Sequence, residues 1–160
     1  MKRHFTASAF VLHDGKTLLH WHRKLGQWMP PGGHLLPDED PAKGALREVR
    51  EETGLATAII RTGEPLAFAY PQQAAAPYAV LIEDIPDGGD PHQHIDFIYF
   101  ARSLNGEAFR APAPDDVLLW ASEDELERNV TLAAGGREAA VPEDVRALAL
   151  IAIRVDREPR

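Results

Sequence analysis

Along the chain the spacing of apolar residues changes period in a regular order, and that order reads as strands broken by a few helices. From Phe5 to Leu12 β-branched and aromatic residues predict a strand, Asp14-Gly15 is a tight-turn pair, and Thr17 to His22 reads as the returning strand. His20 and His22 alternate with Leu19 and Trp21, so they share one strand face, where two surface histidines are the simpler reading than a ligand pair. The tandem prolines and glycines of Trp28-Met29-Pro30-Pro31-Gly32-Gly33 predict a turn that uses backbone geometries other residues do not reach. From Asp40 the period becomes helical. Ala42, Ala45, Leu46, Val49 and Thr53 fall on one face, Asp40 is the N-cap, Pro41 the first helical residue and Gly54 the stop. Ala56 to Thr62 reads as a strand, Pro65 to Tyr70 as a short extended piece, and PQQAAAP as a loop. Tyr78 to Ile85 and Ile95 to Ala101 make a strand pair across the turn-rich PDGGDPH. Asn105-Gly106 marks a turn and Val117 to Trp120 a strand, and Ser122 with Glu125 is a capping box opening a short helix. Pro142 to about Arg154 completes the chain as an amphipathic helix. No repeat or boundary interrupts this order, so a single domain over residues 1–160 is expected.

Composition narrows the function classes. The 160 residues are 44% hydrophobic and 26% charged, an ordinary globular balance long enough for one substantial core. A formal net charge of −8 argues against nucleic-acid polymers and anionic membranes as partners. It leaves room for a small polyphosphate, because a bound cation reverses the local field. The absence of cysteine removes disulfide and thiolate chemistry and fits a reducing, cytoplasmic setting. The basic and apolar start, MKRHFTASAFVLHDG, is cut short by His13-Asp14 before it reaches signal-peptide form, and no stretch has transmembrane length.

The chemistry concentrates in GHLLPDEDPAKGALREVREETGL, residues 33–55. Read as a helix, its second half stacks Glu48 and Glu52 one turn apart. Two carboxylates so placed repel, unless a hard divalent cation such as Mg²⁺ sits between them. Glu51 lies beside them with Arg47 four residues before it, an i,i+4 pair that orients it. All these carboxylates are expected to be ionised at neutral pH. Gly44, one turn before Glu48, costs a helix interior about 1 kcal/mol and implies a close approach, here assigned to the Gly-rich turn.

Gly33, five residues, Glu39, seven residues, and then Arg47-Glu48-Val49-Arg50-Glu51-Glu52-Thr53-Gly54-Leu55 resembles the Nudix box of the MutT/Nudix hydrolases, with every fixed position filled. The resemblance implies an α/β fold: a Nudix α/β/α sandwich with a central mixed β-sheet and the box loop-helix on one side. It implies a hydrolase that uses Mg²⁺, or Mn²⁺, to cleave a diphosphate bond in a nucleoside diphosphate joined to another moiety, by water attack on phosphorus. Glu48, Glu52 and the Gly32 carbonyl are then metal ligands. Glu51 is a ligand to a second metal or the proton acceptor, held by Arg47, and Gly33 and Glu39 are supports. The family places its general base variably, so Asp96, Glu107, Asp115 and Asp116 stand as candidates behind Glu51. Arg23 and Lys24 are candidates for substrate phosphates, and Asp96, Asp115 and Asp116 are candidates for substrate contacts as well as for the base. Tyr70, beside Pro71, lies where family subgroups carry substrate markers. Phe5, Trp21, Phe68, Tyr70 and Tyr78 are candidates to stack a base.

Two rivals follow from the same fold family. An isoprenyl diphosphate isomerase normally needs a cysteine, which this chain lacks. A non-catalytic sensor of nucleotide metabolites tends to lose box glutamates, and all are present here. The expected partner is a small nucleotide-type molecule, and a homodimer is compatible with the resemblance.

Overall fold

The computed structural model describes residues 1–85 and 90–158. Its frame is a mixed sheet of eight strands. β1 (Lys2–His13) and β7 (His92–Ser103) run parallel at its centre, paired from Lys2 with His92 to Leu12 with Arg102. β2 (Lys16–His22) returns antiparallel from β1 and carries β3 (Gln27–Met29) on one edge and β8 (Leu118–Ser122) on the other. β4 (Gly32–His34) pairs with β1 across Thr6–Ser8, while β5 (Thr57–Ile59) and β6 (Ala79–Ile85) pair with β7.

Strand alternation sends successive residues to opposite faces and so builds two cores. Ala7, Ala9 and Val11 face α1 (Pro41–Thr53) with Tyr99 and Ala101, against Ala42, Ala45 and Val49. Phe10 and Leu12 face the other way with Ile98 and Phe100, against Ala149, Ala152 and Ile153 of α3 (Glu143–Arg157). The helix–sheet–helix layering expected from the sequence is thus present, with the box helix on one side.

α1 begins and ends where its local signals place it. Asp40 accepts from the Lys43 amide at 3.0 Å, Pro41 opens the helix, and Gly54 closes it with its N–H on the Arg50 carbonyl. The capping box of Ser122 and Glu125 is likewise formed and opens α2 (Glu123–Glu127). Four expectations change. The segment 65–70 forms no strand, and the strand expected over 56–62 shrinks to Thr57–Ile59. The turn of tandem prolines and glycines contributes two short strands, β3 and β4, to the sheet. A small hairpin, β9 (Leu132–Ala134) and β10 (Arg137–Ala139), turns at Gly135-Gly136 where no strand was expected. Of the PDGGDPH turn, residues 86–89 lie outside the described residues. No helix among the described residues is long and apolar enough to cross a membrane.

Candidate active site

Gly32, just before the box, and Gly33, its first residue, both sit in tight space. Neither has positive φ, which corrects the expectation that they serve a special backbone geometry. A Cβ on Gly32 would stand 2.3 Å from Ser8 Oγ, and one on Gly33 2.6 Å from Glu48 Cδ. β4 is therefore pressed between β1 and the carboxylates of α1. Its ladder bonds run from Ala9 N to the Pro31 carbonyl at 2.9 Å and from Leu35 N to the Phe5 carbonyl at 3.0 Å. Pairing alternates along an antiparallel ladder, so Gly32, one residue past Pro31, turns both its N–H and its C=O away from β1. The N–H finds Glu52 Oε2 at 3.0 Å.

Arg47 holds the acidic loop and the helix together. Its guanidinium donates to both oxygens of Glu39 at 2.8 and 3.0 Å, to Glu48 at 2.7 Å, to Glu51 at 3.1 Å, and to the His34 carbonyl at 3.0 Å. Its side chain is only 23% exposed, and those of Glu39 and Glu48 are 11% and 15% exposed, so these pairs are little screened. Hydrogen bonding to Arg47 holds the Glu39 carboxyl below its ordinary range, and Glu39 also accepts from the Leu36 amide. Arg47 thus serves Glu39 and Glu48 at closer range than Glu51, whose side chain is 59% exposed. Gly44 is explained by the same loop. A Cβ there would meet Leu35 Cδ2 at 2.3 Å and Glu39 Oε2 at 3.0 Å, so the close neighbours are side chains of the acidic loop and not the backbone of the Gly-rich turn.

Glu52 departs from the expectation of a freely ionised carboxylate. Burial pushes its carboxyl from the ordinary 4.5 up to about 7; the Gly32 amide opposes the shift, and Glu48, Asp116 and Glu51 add to it. It lines a cleft of about 240 Å³ with His20, Trp21, Pro112, Asp116, Val117 and Leu118. His20, read from the sequence as a surface residue, is drawn into that cleft, where burial and His22 lower its imidazole to about 4. At neutral pH it is an uncharged donor or acceptor. The sequence holds only its strand parity as a signal, because the 112–118 segment that covers it is distant along the chain.

A family model, the NUDIX domain, matches residues 2–142. The chain belongs to the NUDIX family. A MutT-like protein of Streptomyces ambofaciens is 34% identical over 83 residues, which are 52% of this chain and 51% of that protein. The bovine m7GpppN-mRNA hydrolase NUDT17 is 61% identical over 28 residues, 18% of this chain and 9% of that protein. The matches therefore span about half of the first relative and under a tenth of the second. Among solved structures, a NUDIX-family hydrolase from Clostridium perfringens superposes with a TM-score of 0.76 at 27% identity, covering 97% of this chain and 99% of that one. A MutT protein from Methanosarcina mazei shares the fold, with a TM-score of 0.62 at 17% identity and coverage of 98% and 97%. Family and fold together support a pyrophosphohydrolase-type activity.

In this NUDIX chain the remaining candidates are scattered. Arg23 pairs with Asp116 at 2.7 Å at the cleft, while Lys24, next to it in the loop after β2, is exposed. Asp116 also accepts from the Ala113 amide at 3.1 Å, and Asp115 points into solvent. Glu107 is exposed, 3.9 Å from Lys16. Asp96 is buried on the α3 face, accepts from Thr6 and Ser8 at 2.8 Å each, and burial raises its carboxyl. It is thereby satisfied within the sheet. Tyr70 is 89% exposed, Tyr78 stacks on Phe100 and Trp21 packs against Trp28. Phe5 lies 56% exposed on a second hollow, and Phe68 is 48% exposed.

Proposed function

We propose that this NUDIX chain is a metal-dependent hydrolase that cleaves the diphosphate bond of a nucleoside diphosphate joined to another moiety. What carries this reading is Glu52: a buried carboxyl beside Glu48, weighed on by acidic neighbours, that would hold its proton to about pH 7. Such a set is short of positive charge, and its donors are hard oxygens, which is what Mg²⁺ or Mn²⁺ takes. Glu48, Glu52 and the Gly32 carbonyl, which leaves β4 on the same side as the N–H bonded to Glu52, would hold the cation. The cation supplies neutralisation of phosphate charge and a lowered pKa for the attacking water.

The other residues position and move protons. Arg47 fixes the Glu48 rotamer and keeps Glu51 near the helix surface, where its exposed carboxylate is placed to accept a proton. Glu39 locks Arg47 in turn and joins the acidic loop to α1. Glu51 as ligand to a second cation is the finer alternative within this scheme. His20, neutral at the cleft wall, and Arg23, at its mouth with Asp116, are the groups within reach of a nucleotide phosphate or sugar. Expected partners are small nucleotides, and a cytoplasmic location is part of the proposal.

The test is product release from a panel of dNTPs, ADP-ribose, dinucleoside polyphosphates, nucleotide sugars, CoA and NADH, with Mg²⁺ or Mn²⁺ and with EDTA. Cleavage of one class that stops in EDTA is the expected result. Cleavage indifferent to EDTA contradicts the proposal. Cation binding with no turnover across the panel favours a sensor of nucleotide metabolites.

A further inference from the structure

At the start of β1 and β7 the sheet face that elsewhere meets α3 ends in a patch of histidines that the proposed hydrolysis does not use. The parallel register sets His4 opposite His94, and even-numbered residues of β1 and β7 share one face, so His92 joins them. β4 sets His34 against Thr6, on the flank of the same patch. His4, His92 and His94 are half-buried, and His34 is exposed.

Their nitrogens converge. One ring nitrogen from each of His4, His92 and His94 lies within 4.8 Å of the other two. His92 Nε2 faces His94 Nε2 at 3.3 Å, and His34 Nε2 faces His4 Nδ1 at 3.3 Å. Two imidazole nitrogens on one tetrahedral Zn²⁺, each about 2.0–2.1 Å from the ion, stand roughly 3.3–3.4 Å apart. A second observation points the same way. His92 Nδ1 lies 3.1 Å from the Asp90 carbonyl, a bond that needs the proton on Nδ1 and leaves the Nε2 lone pair turned towards His94. Metal-ligating histidines are fixed in this manner, with the second nitrogen donating to a carbonyl or carboxylate. Hydrogen bonds between rings account for each 3.3 Å pair singly. They do not account for three rings converging on one point, where any second proton would be repelled.

We propose that His4, His92 and His94, with the exposed His34 at their flank, form a transition-metal site for a cation of the Zn²⁺ class, separate from the carboxylates of α1. Imidazole donors suit Zn²⁺, Co²⁺, Ni²⁺ or Cu²⁺, whereas Mg²⁺ takes oxygen, so the two sites sort their cations by chemistry. A hollow of about 580 Å³ lined in part by His4, His34 and Glu39 gives the ion its entry. The consequence for the box is mechanical. The His34 carbonyl accepts from Arg47 and its ring meets His4, so the strand that carries Gly32 and Gly33 links the histidine patch to the arginine of α1.

The test uses the full chain without a histidine tag, stripped with EDTA, dialysed, and titrated with Co²⁺ in excess Mg²⁺. The expected result is about one Co²⁺ per chain with the intense visible absorption of a tetrahedral site. Zn²⁺ should bleach that absorption and raise the melting temperature. Glu52→Gln should keep the signal, and His92→Gln and His94→Gln should lose it. If circular dichroism shows His94→Gln unfolded, His92→Gln and His4→Gln decide. The proposal is overturned if the folded chain gives no Co²⁺ signal, if the signal survives the histidine substitutions, or if Glu52→Gln abolishes it. The last outcome would place the ion on the carboxylates, in line with the hydrolase proposal, and the first two leave that proposal untouched.

Discussion

The amide of Gly32 donates to Glu52 Oε2 at 3.0 Å, joining the box turn to the last turn of α1. An amide oxygen can still accept that bond, more weakly than an ionised carboxylate, but binds a cation far less strongly. Glu52→Gln is therefore expected to keep the fold and the Gly32 contact and to abolish turnover. Urea unfolding within about 1 kcal/mol of wild type, with Mg²⁺ affinity lost by calorimetry, is the expected pair of results. Full Mg²⁺ affinity in this variant would remove Glu52 from the ligand set.

The raised carboxyl of Glu52 gives a pH dependence with a definite sign. In the folded chain it titrates near 7, against an ordinary 4.5, so the folded state keeps a proton that the unfolded state has released between these values. The stability this group contributes is whole below 4.5 and is lost as pH rises through 7. In EDTA, wild type should lose stability relative to Glu52→Gln across that window. In Mg²⁺, which favours the ionised form, the relative loss should disappear. Parallel melting curves for the two proteins in EDTA would contradict the assignment.

Arg47→Lys keeps the charge but loses the planar fork that reaches Glu39, Glu48 and the His34 carbonyl together. With the arginine 23% exposed, the expected loss is about 1.5–3 kcal/mol in chemical denaturation. kcat should fall more than KM rises, because Glu48 and Glu51 lose their orientation together. A variant with wild-type kcat would show that Arg47 only braces the loop.

How much of this was legible in the chain depended on how local each cause is. α1 could be read to the residue, since Asp40, Pro41 and Gly54 fix its ends from within one turn. Which face of β1 meets which helix was not legible, because both faces are apolar and the helices that cover them are set by the chain's path. β4 was read as a turn because three residues become a strand only through pairing with Thr6–Ser8 of β1. The β9–β10 hairpin does carry a local signal, the pair Gly135-Gly136, at its turn. His20 and the histidine patch were out of reach: the one is covered by the distant 112–118 segment, and the other assembles only when His4 and His94 meet in a parallel register. The raised carboxyl of Glu52 had the same cause, burial by elements remote in sequence.

Gly44 offers a test of the packing between loop and helix. Alanine gains up to about 1 kcal/mol over glycine in a helix interior. Here the added methyl would meet Leu35 Cδ2 at 2.3 Å, and overpacking costs about 1–3 kcal/mol. Gly44→Ala should therefore destabilise, and Leu35→Ala in the same chain should reverse the sign of the Gly44→Ala effect, a coupling that a double-mutant cycle measures. A stabilised single variant would show that the loop moves aside freely.

The central claim is that the carboxylates of α1 hold the cation that hydrolysis needs. Its most direct measurement is the rate of cleavage of the best substrate in the panel by wild type and by Glu52→Gln, each across a Mg²⁺ titration. The expected result is a saturable Mg²⁺ dependence in wild type and a rate at background in the variant at every Mg²⁺ concentration. Wild-type turnover by Glu52→Gln, or turnover by wild type in EDTA, would contradict the account.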